Sequence, residues 1–354
     1  MYVLMAVLFV LGYLCIAFEH PLKIDKAAAA ILTAVLCWTA LILGAESIVP
    51  LLPSAGHDLA DPSAYVVESL RHHLGEISEI LFFLLGAMTI VELIDSHEGF
   101  KVITDRIQTR KRVHLLWIIG FLTFFLSAAL DNLTTTIVMV SLLRKLIRGR
   151  PERWLFVGVV VIAANAGGAW SPIGDVTTTM LWIGNQITAS GVIVGLFIPS
   201  LVCLLVPLLI LSFSMRGEVP RPGARAHLAE SNPPATTAFE RNLVLALGIG
   251  ALVFVPVFKT VTHLPPYMGI LFGLGVLWVT TEFLHRHKED DHKHPLSVVG
   301  VLRKVDTPSV LFFLGILLAV AALATAGHLT QVATALRDTL GHIYPINYSI
   351  GLLS

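Results

Sequence analysis

Seven apolar windows recur along the chain, at residues 2 to 18, 26 to 45, 78 to 95, 190 to 215, 240 to 258, 265 to 284 and 308 to 327. A membrane-crossing helix needs about 20 mostly apolar residues, so a chain patterned in this way is expected to fold as a set of spans. Composition agrees, with 55% of residues hydrophobic and 14% charged against about 25% charged in soluble domains. The expected fold class is an all-α polytopic membrane protein. The first window lacks a basic flank and ends at Glu19-His20-Pro21 without a small-residue cleavage site, so it reads as a retained span.

Formal net charge is +0, which points to no nucleic-acid partner and no polybasic lipid-binding tail; the lipid bilayer is the partner expected. Cys15, Cys37 and Cys203 lie in apolar runs and imply neither a disulfide framework nor a cysteine metal site.

Two further apolar regions are interrupted. Residues 113 to 147 break at Asp131-Asn132 within SAALDNLTTT, and residues 154 to 186 break around Gly167, Gly168, Pro172 and Gly174 within ANAGGAWSPIGDVTTT. An ionisable side chain at membrane depth costs about 2.5 to 3.5 kcal/mol even on lenient scales, so two aspartates beside helix breakers call for an ion path. Na+ and Li+ are hard cations that take oxygen ligands, and carboxylate, amide oxygen, hydroxyl and unwound backbone carbonyls supply them. Such backbone is tolerated at membrane depth only where protein or a water-filled cavity surrounds it.

Lysine and arginine in short loops favour the cytoplasmic side. Lys101, Arg106, Arg110, Lys111 and Arg112 precede the first interrupted region, and Arg144, Lys145, Arg148, Arg150 and Arg153 follow it. Both flanks are then cytoplasmic, which a re-entrant hairpin with its tip at Asp131-Asn132 satisfies and a single crossing does not. Lys23 and Lys26, then Arg216, Arg221, Arg225 and Arg241, then Arg286, Lys288, Arg303 and Lys304 fall on the same side if each remaining window crosses once. The loop from Glu46 to Glu79, with Pro50, Pro53, Pro62 and an amphipathic segment near Tyr65 to Leu74, is then outside.

ILFFLLGAMTIVELI from Ile80 resembles VLFFLGILLAVAALA from Val310, and the two copies cross in opposite senses under this orientation. Such an inverted repeat is a common transporter plan, with broken helices meeting at the midplane. The expected first repeat is 1–215, followed by a cytoplasmic linker 216–239 and a second repeat 240–354. Ser127 opens the first hairpin tip, and its counterpart falls near Ser354, where the sequence stops. Residues 340–354 are expected to begin a second hairpin, the rest of which, with its broken helix, is expected to be missing.

SAALDNLTTTIVM followed by NAGGAWSPIGDVTTTMLWIGNQIT resembles the NhaD-type sodium/proton antiporters of the ion transporter superfamily, which also holds arsenite permeases and dicarboxylate carriers. The resemblance covers most of the chain from about Ile80 onward. It implies two inverted repeats, each with scaffold helices, a re-entrant hairpin and a broken helix, exporting Na+ or Li+ in exchange for protons. Positions for the cation and proton carry over to Asp131, Asn132 and Thr134 in the hairpin and to Asn165, Asp175, Thr177 and Thr178 in the broken helix. Ser127, Gly167, Gly168, Ser171, Pro172 and Gly174 support them, and Na+ itself is expected at Asp131 and Asp175. The C-terminal motif of the family has no counterpart in this sequence. A bacterial inner membrane is the expected location, an organellar membrane the alternative, and a homodimer the oligomer to consider.

Exchange needs only competition, since a poorly solvated carboxylate favours its protonated form and bound Na+ favours the ionised one. Two aspartates allow more than one proton per Na+, and the membrane potential, at about 2.3 kcal/mol per net charge per 100 mV, could then drive export.

Plainer readings stand beside these. Asp131 and Asp175 can cap helices, a role compatible with ion binding. Thr134 to Thr136 and Thr177 to Thr179 can hydrogen-bond their own backbone. Glu92 and Asp95 read first as snorkelling interfacial groups and second as a proton path. HRHKEDDHKH, from His285 to His294, reads as a solvated loop, with metal binding or pH sensing as alternatives; His72 and His73 share the latter. An arsenite route favours a neutral site, and a dicarboxylate carrier favours helix N-termini without carboxylates, so both aspartates count against them. An intramembrane aspartyl protease would need GxGD, where Pro172 replaces the first glycine, and a YD partner in a nearby span, which is lacking. No enzymatic activity and no cofactor is expected.

Overall fold

A computed structural model describes residues 1–51, 61–104, 107, 109–147, 149–215, 217–218, 236–286 and 296–353. Pro53, Arg106, Arg148, Arg216, Arg221, Arg225, Lys288, the linker from 219 to 235 and Ser354 lie outside the described residues. Among the described residues no β-strand occurs; an isolated bridge joins Lys111 to Glu218.

The principal helices are α1 (Tyr2–Ala17), α2 (Lys26–Leu43), α3 (Pro62–Ser96), α4 (Arg112–Leu130), α5 (Asn132–Leu146), α6 (Arg150–Ala169), α7 (Val176–Ile183), α8 (Ala189–Ser214), α9 (Ala238–Thr262), α10 (Pro266–His285), α11 (Thr307–Thr325), α12 (His328–Leu340) and α13 (Ile343–Leu353). Seven of them, α2, α3, α4, α8, α9, α10 and α11, are long and apolar enough to cross a membrane. The chain is an all-α, multi-span membrane protein. At 16 residues α1 is shorter than these. The window at 78–95 is the second half of α3, which runs for 35 residues without a break. Tyr65 to Leu74, expected as a separate segment of an outer loop, is the first part of the same helix.

By compactness the chain forms two units, Met1–Leu81 with Asp306–Ser354, and Phe82–Val305. In the first, α2 packs between α1 and α11 through small residues. A Cβ on Gly315 would lie 2.6 Å from the Ala30 carbonyl carbon, and one on Gly12 would lie 1.9 Å from Thr33 Oγ1. Lipid gives helices no hydrophobic drive to associate, so close backbone approach and interhelical hydrogen bonds hold such seams. Trp38 Nε1 accordingly donates to the Leu318 carbonyl at 2.9 Å.

In the second unit, Gly248 of α9 meets Ile94 of α3, and Gly273 of α10 meets Ala251 of α9. Trp117 Nε1 of α4 donates to Ser212 Oγ of α8 at 2.8 Å. At one end of this unit the Arg112 guanidinium pairs with Glu152 at 2.6 Å and the Arg112 N–H donates to the Gly217 carbonyl. The starts of α4 and α6 and the segment after α8 therefore share an end. Helix α5 runs from Asp131 back to within a few residues of α6, so α4 and α5 form a hairpin with Asp131 at its tip. Of the histidine-rich run, His285 and Arg286 are described; His285 is buried and stacks on buried His97 with ring centroids 5.1 Å apart.

Candidate functional site at two helix breaks

The first break is a single residue. Asp131 has φ 101° and ψ 156°, a backbone conformation that costs an L residue strain, and it separates α4 from α5. Its carboxylate holds the break together. One oxygen accepts the Thr134 N–H at 2.8 Å and the other accepts Thr134 Oγ1 at 2.7 Å, so the N-terminus of α5 carries its own anion. Asn132 is already helical.

The second break spans Trp170 to Asp175, between α6 and α7. Gly167 and Gly168, read as part of the interruption, lie inside α6, and their role is contact. A Cβ on Gly167 would stand 2.1 Å from the Phe124 carbonyl oxygen of α4, and one on Gly168 would stand 2.4 Å from the Gly174 carbonyl oxygen. A Cβ on Gly174 would in turn meet the Ser127 carbonyl oxygen at 2.7 Å. Three glycines thus let the two broken segments touch backbone to backbone. Ser127 Oγ donates to the Ala164 carbonyl at 2.6 Å, and Ser171 Oγ donates to the Ala128 carbonyl. Pro172 and Gly174 are buried in the break. Phe124, Trp170 and Phe197 form an aromatic wall beside it, with centroids 5.9 and 5.1 Å apart.

Asn132 connects the breaks. Its Nδ2 donates to Asp175 Oδ1 at 2.8 Å and to Asn165 Oδ1 at 3.1 Å, across 43 and 33 residues of sequence. Asp175 Oδ2 accepts the Thr177 N–H at 3.0 Å, capping α7 as Asp131 caps α5. Each carboxylate oxygen offers two lone pairs and each accepts one of these hydrogen bonds, so acceptor capacity remains at both aspartates. Thr177 is exposed and Thr178 buried, and Thr136 Oγ1 bonds its own helix at the Asn132 carbonyl. A cavity of ≈ 20 Å³ adjoins Asp131, lined also by Met88, Ala129, Val176, Thr179 and Leu252. That is room for about one water or one bare monovalent cation.

Asp131, Asn132, Thr134, Asn165 and Asp175 are therefore brought together, while Glu92 belongs to another cluster. Glu92 pairs with Lys304 at 3.7 Å, Lys304 Nζ donates to Ser96 Oγ at 2.9 Å, and Asp95 lies exposed less than a turn beyond Glu92. Met88, one turn before Glu92, lines the cavity at Asp131.

The model of the citrate transporter family (CitMHS) matches residues 13–354. The chain belongs to this family. The chain is 48% identical to "Sodium/proton antiporter 1" of Arabidopsis thaliana over 99% of its own length and 58% of that protein's. It is 46% identical to "Sodium/proton antiporter 2" of the same plant, covering 79% of it. It is 30% identical to "Na(+)/H(+) antiporter NhaD" of Alkalimonas amylolytica over 94% of the chain and 69% of that protein. The resemblance to NhaD-type antiporters is thus found across nearly the whole chain, and the protein is a member of a transporter family.

Two residues beside the site depart from what the sequence suggests. Thr135 is fully buried with its Oγ1 lacking a hydrogen-bond partner among the described residues, one residue beyond Thr134. Lys259, in the last turn of α9, reaches the far end of α7, where its Nζ donates to the Trp182 carbonyl.

Proposed function

We propose that the protein exchanges Na+ or Li+ for protons, with both competing for the oxygens of Asp131, Asn132 and Asp175. The observation that carries this reading is the Asn132 amide bridging Asn165 and Asp175, which joins the carboxylate of one helix break to the residue beside the other. With Nδ2 donating, Asn132 Oδ1 faces no donor among the described residues and can serve a cation. A cation bound there draws on two negative charges. A proton on either carboxylate removes one of them and fills a lone pair the cation uses, so the two ligands displace each other. The names of the Arabidopsis and Alkalimonas relatives support the same exchange.

The family model bears the name of a citrate transporter, and the geometry weighs against an anionic substrate here. A carboxylate substrate would take the positive N-terminal ends of α5 and α7, and Asp131 and Asp175 already occupy those ends. The inverted repeat, with 1–215 as its first copy and 240–354 in its second, the cytoplasmic placement of the basic loops and a proton path at Glu92 and Asp95, the alternative to an interfacial role for them, belong to this proposal. So does the membrane: a bacterial plasma membrane or an organellar one, with relatives from a plant and from bacteria.

Acridine-orange dequenching in everted vesicles tests it with full-length protein. NaCl and LiCl, but not KCl, are expected to dequench the wild type, and Asp131→Asn or Asp175→Asn to abolish the response at unchanged protein level. Exchange that persists in both variants would remove the site from the mechanism.

A further inference from the structure

Helix α7 is eight residues long, about two turns, and so short a helix is marginal without support at its ends. Its N-terminus is held by Asp175 inside the candidate site. Its C-terminus ends at Gly184, followed by Asn185 in a left-handed conformation with φ 55°. The last four carbonyls of any helix lack intrahelical donors. One of those in α7, that of Trp182, accepts from the Asn185 N–H at 3.2 Å and also from a side chain of another helix. That side chain is Lys259 of α9, whose Nζ donates to the Trp182 carbonyl at 2.9 Å and to Asn185 Oδ1 at 3.2 Å. The same ammonium lies 4.7 Å from the centroid of the Trp182 ring, which is itself buried.

A lysine near a helix end ordinarily turns its ammonium to water. Here it turns to a neighbouring helix and serves that helix in three ways: a second donor to a carbonyl of its last turn, a positive charge at the negative end of the dipole, and a cation on an aromatic face. We infer that Lys259 is a positioning residue, a latch that holds α7 against α9 and thereby sets where Asp175 meets Asn132. The inference deepens the antiport reading and rests on it. Helix α7 is a short rigid lever, roughly 12 Å long at 1.5 Å per residue, so release of its far end displaces the end that carries Asp175.

Lys259→Met removes the charge and keeps most of the stem, Lys259→Arg keeps a charged donor, and Asn185→Ala removes one acceptor of the latch. In vesicles of full-length protein, the Na+ concentration giving half-maximal exchange is expected to rise roughly tenfold or more in Lys259→Met, the scale of losing a charge-assisted hydrogen bond. Asn185→Ala should move it the same way by less, and Lys259→Arg should stay near wild type. A purely structural role would lower protein amount and maximal rate while leaving half-saturation unchanged, and that pattern overturns the inference. Wild-type vesicles serve as the control: absence of Na+-dependent exchange there defeats the antiport reading. The latch is then judged by amide hydrogen exchange across residues 176–186, expected to be faster in Lys259→Met. Unchanged protection there overturns the latch irrespective of transport.

Discussion

Gly167 and Gly158 lie on one helix, α6, and differ in what surrounds them. A Cβ at Gly158 meets nothing within 4 Å, whereas one at Gly167 would stand 2.1 Å from a backbone oxygen of α4 that no rotamer change can move. Gly158→Ala is expected to stabilise by up to about 1 kcal/mol through helix propensity. Gly167→Ala is expected to destabilise by about 1 to 3 kcal/mol or more, as overpacking does, because α4 and α6 must part. Thermal melting of the purified variants checks the pair, and equal melting temperatures would refute the contact. At this scale the place of Asp131 and Asp175 at helix breaks is legible in the sequence, because a carboxylate in an apolar run has no inexpensive explanation. Asn132 bonding Asn165 and Asp175 was not legible, since separations of 33 and 43 residues are closed by folding and not by local pattern. Lys259 is not legible in this way, since a lysine in the last turn of a span ordinarily turns to water.

The hairpin α4–α5 is the element on which the topology turns. Arg112 at the start of α4 pairs with Glu152 at the start of α6, so the chain has come back to where it left by the time α5 ends. Single cysteines in place of Arg110 and Arg150, both exposed, are expected to react with an impermeant maleimide from the same side of the membrane. Labelling from opposite sides would make α4 and α5 one crossing and overturn the re-entrant placement. Charge pattern is what suggests the re-entrant placement, because two basic clusters on either side of one apolar stretch conflict with a single span. Helix α3 was read less well. Its first part is polar enough to pass for loop, yet nothing between Pro62 and Ser96 interrupts a helix, and the backbone continues through the change of polarity. The second break was misjudged by a few residues for a related reason. Gly167 and Gly168 read as breakers in the sequence, but glycine within a membrane helix also serves close packing, and here packing is its role.

For the whole molecule, two broken segments meet through Asn132 inside a bundle of apolar spans, and the proposed site is the cluster of oxygens around that contact. The many-span architecture was legible because hydrocarbon permits little besides helices. The repeat relation between the copies from Ile80 and Val310 rests on a short apolar match, in an alphabet that recurs in every span. The chain spans 58% of the length of one plant relative and 79% of the other, so the proposed transport cycle is a statement about the full-length protein. With two aspartates in play, exchange of more than one proton per Na+ would move net charge. The central claim is the competition itself, that one cluster of oxygens holds either protons or the cation. Proton release from purified, weakly buffered full-length protein on addition of NaCl measures it without any membrane. Release that saturates with Na+, shrinks as the starting pH is raised until the carboxylates are already bare, and disappears in Asp131→Asn with Asp175→Asn is the predicted result. Saturable Na+ binding that releases no protons at any pH would contradict it.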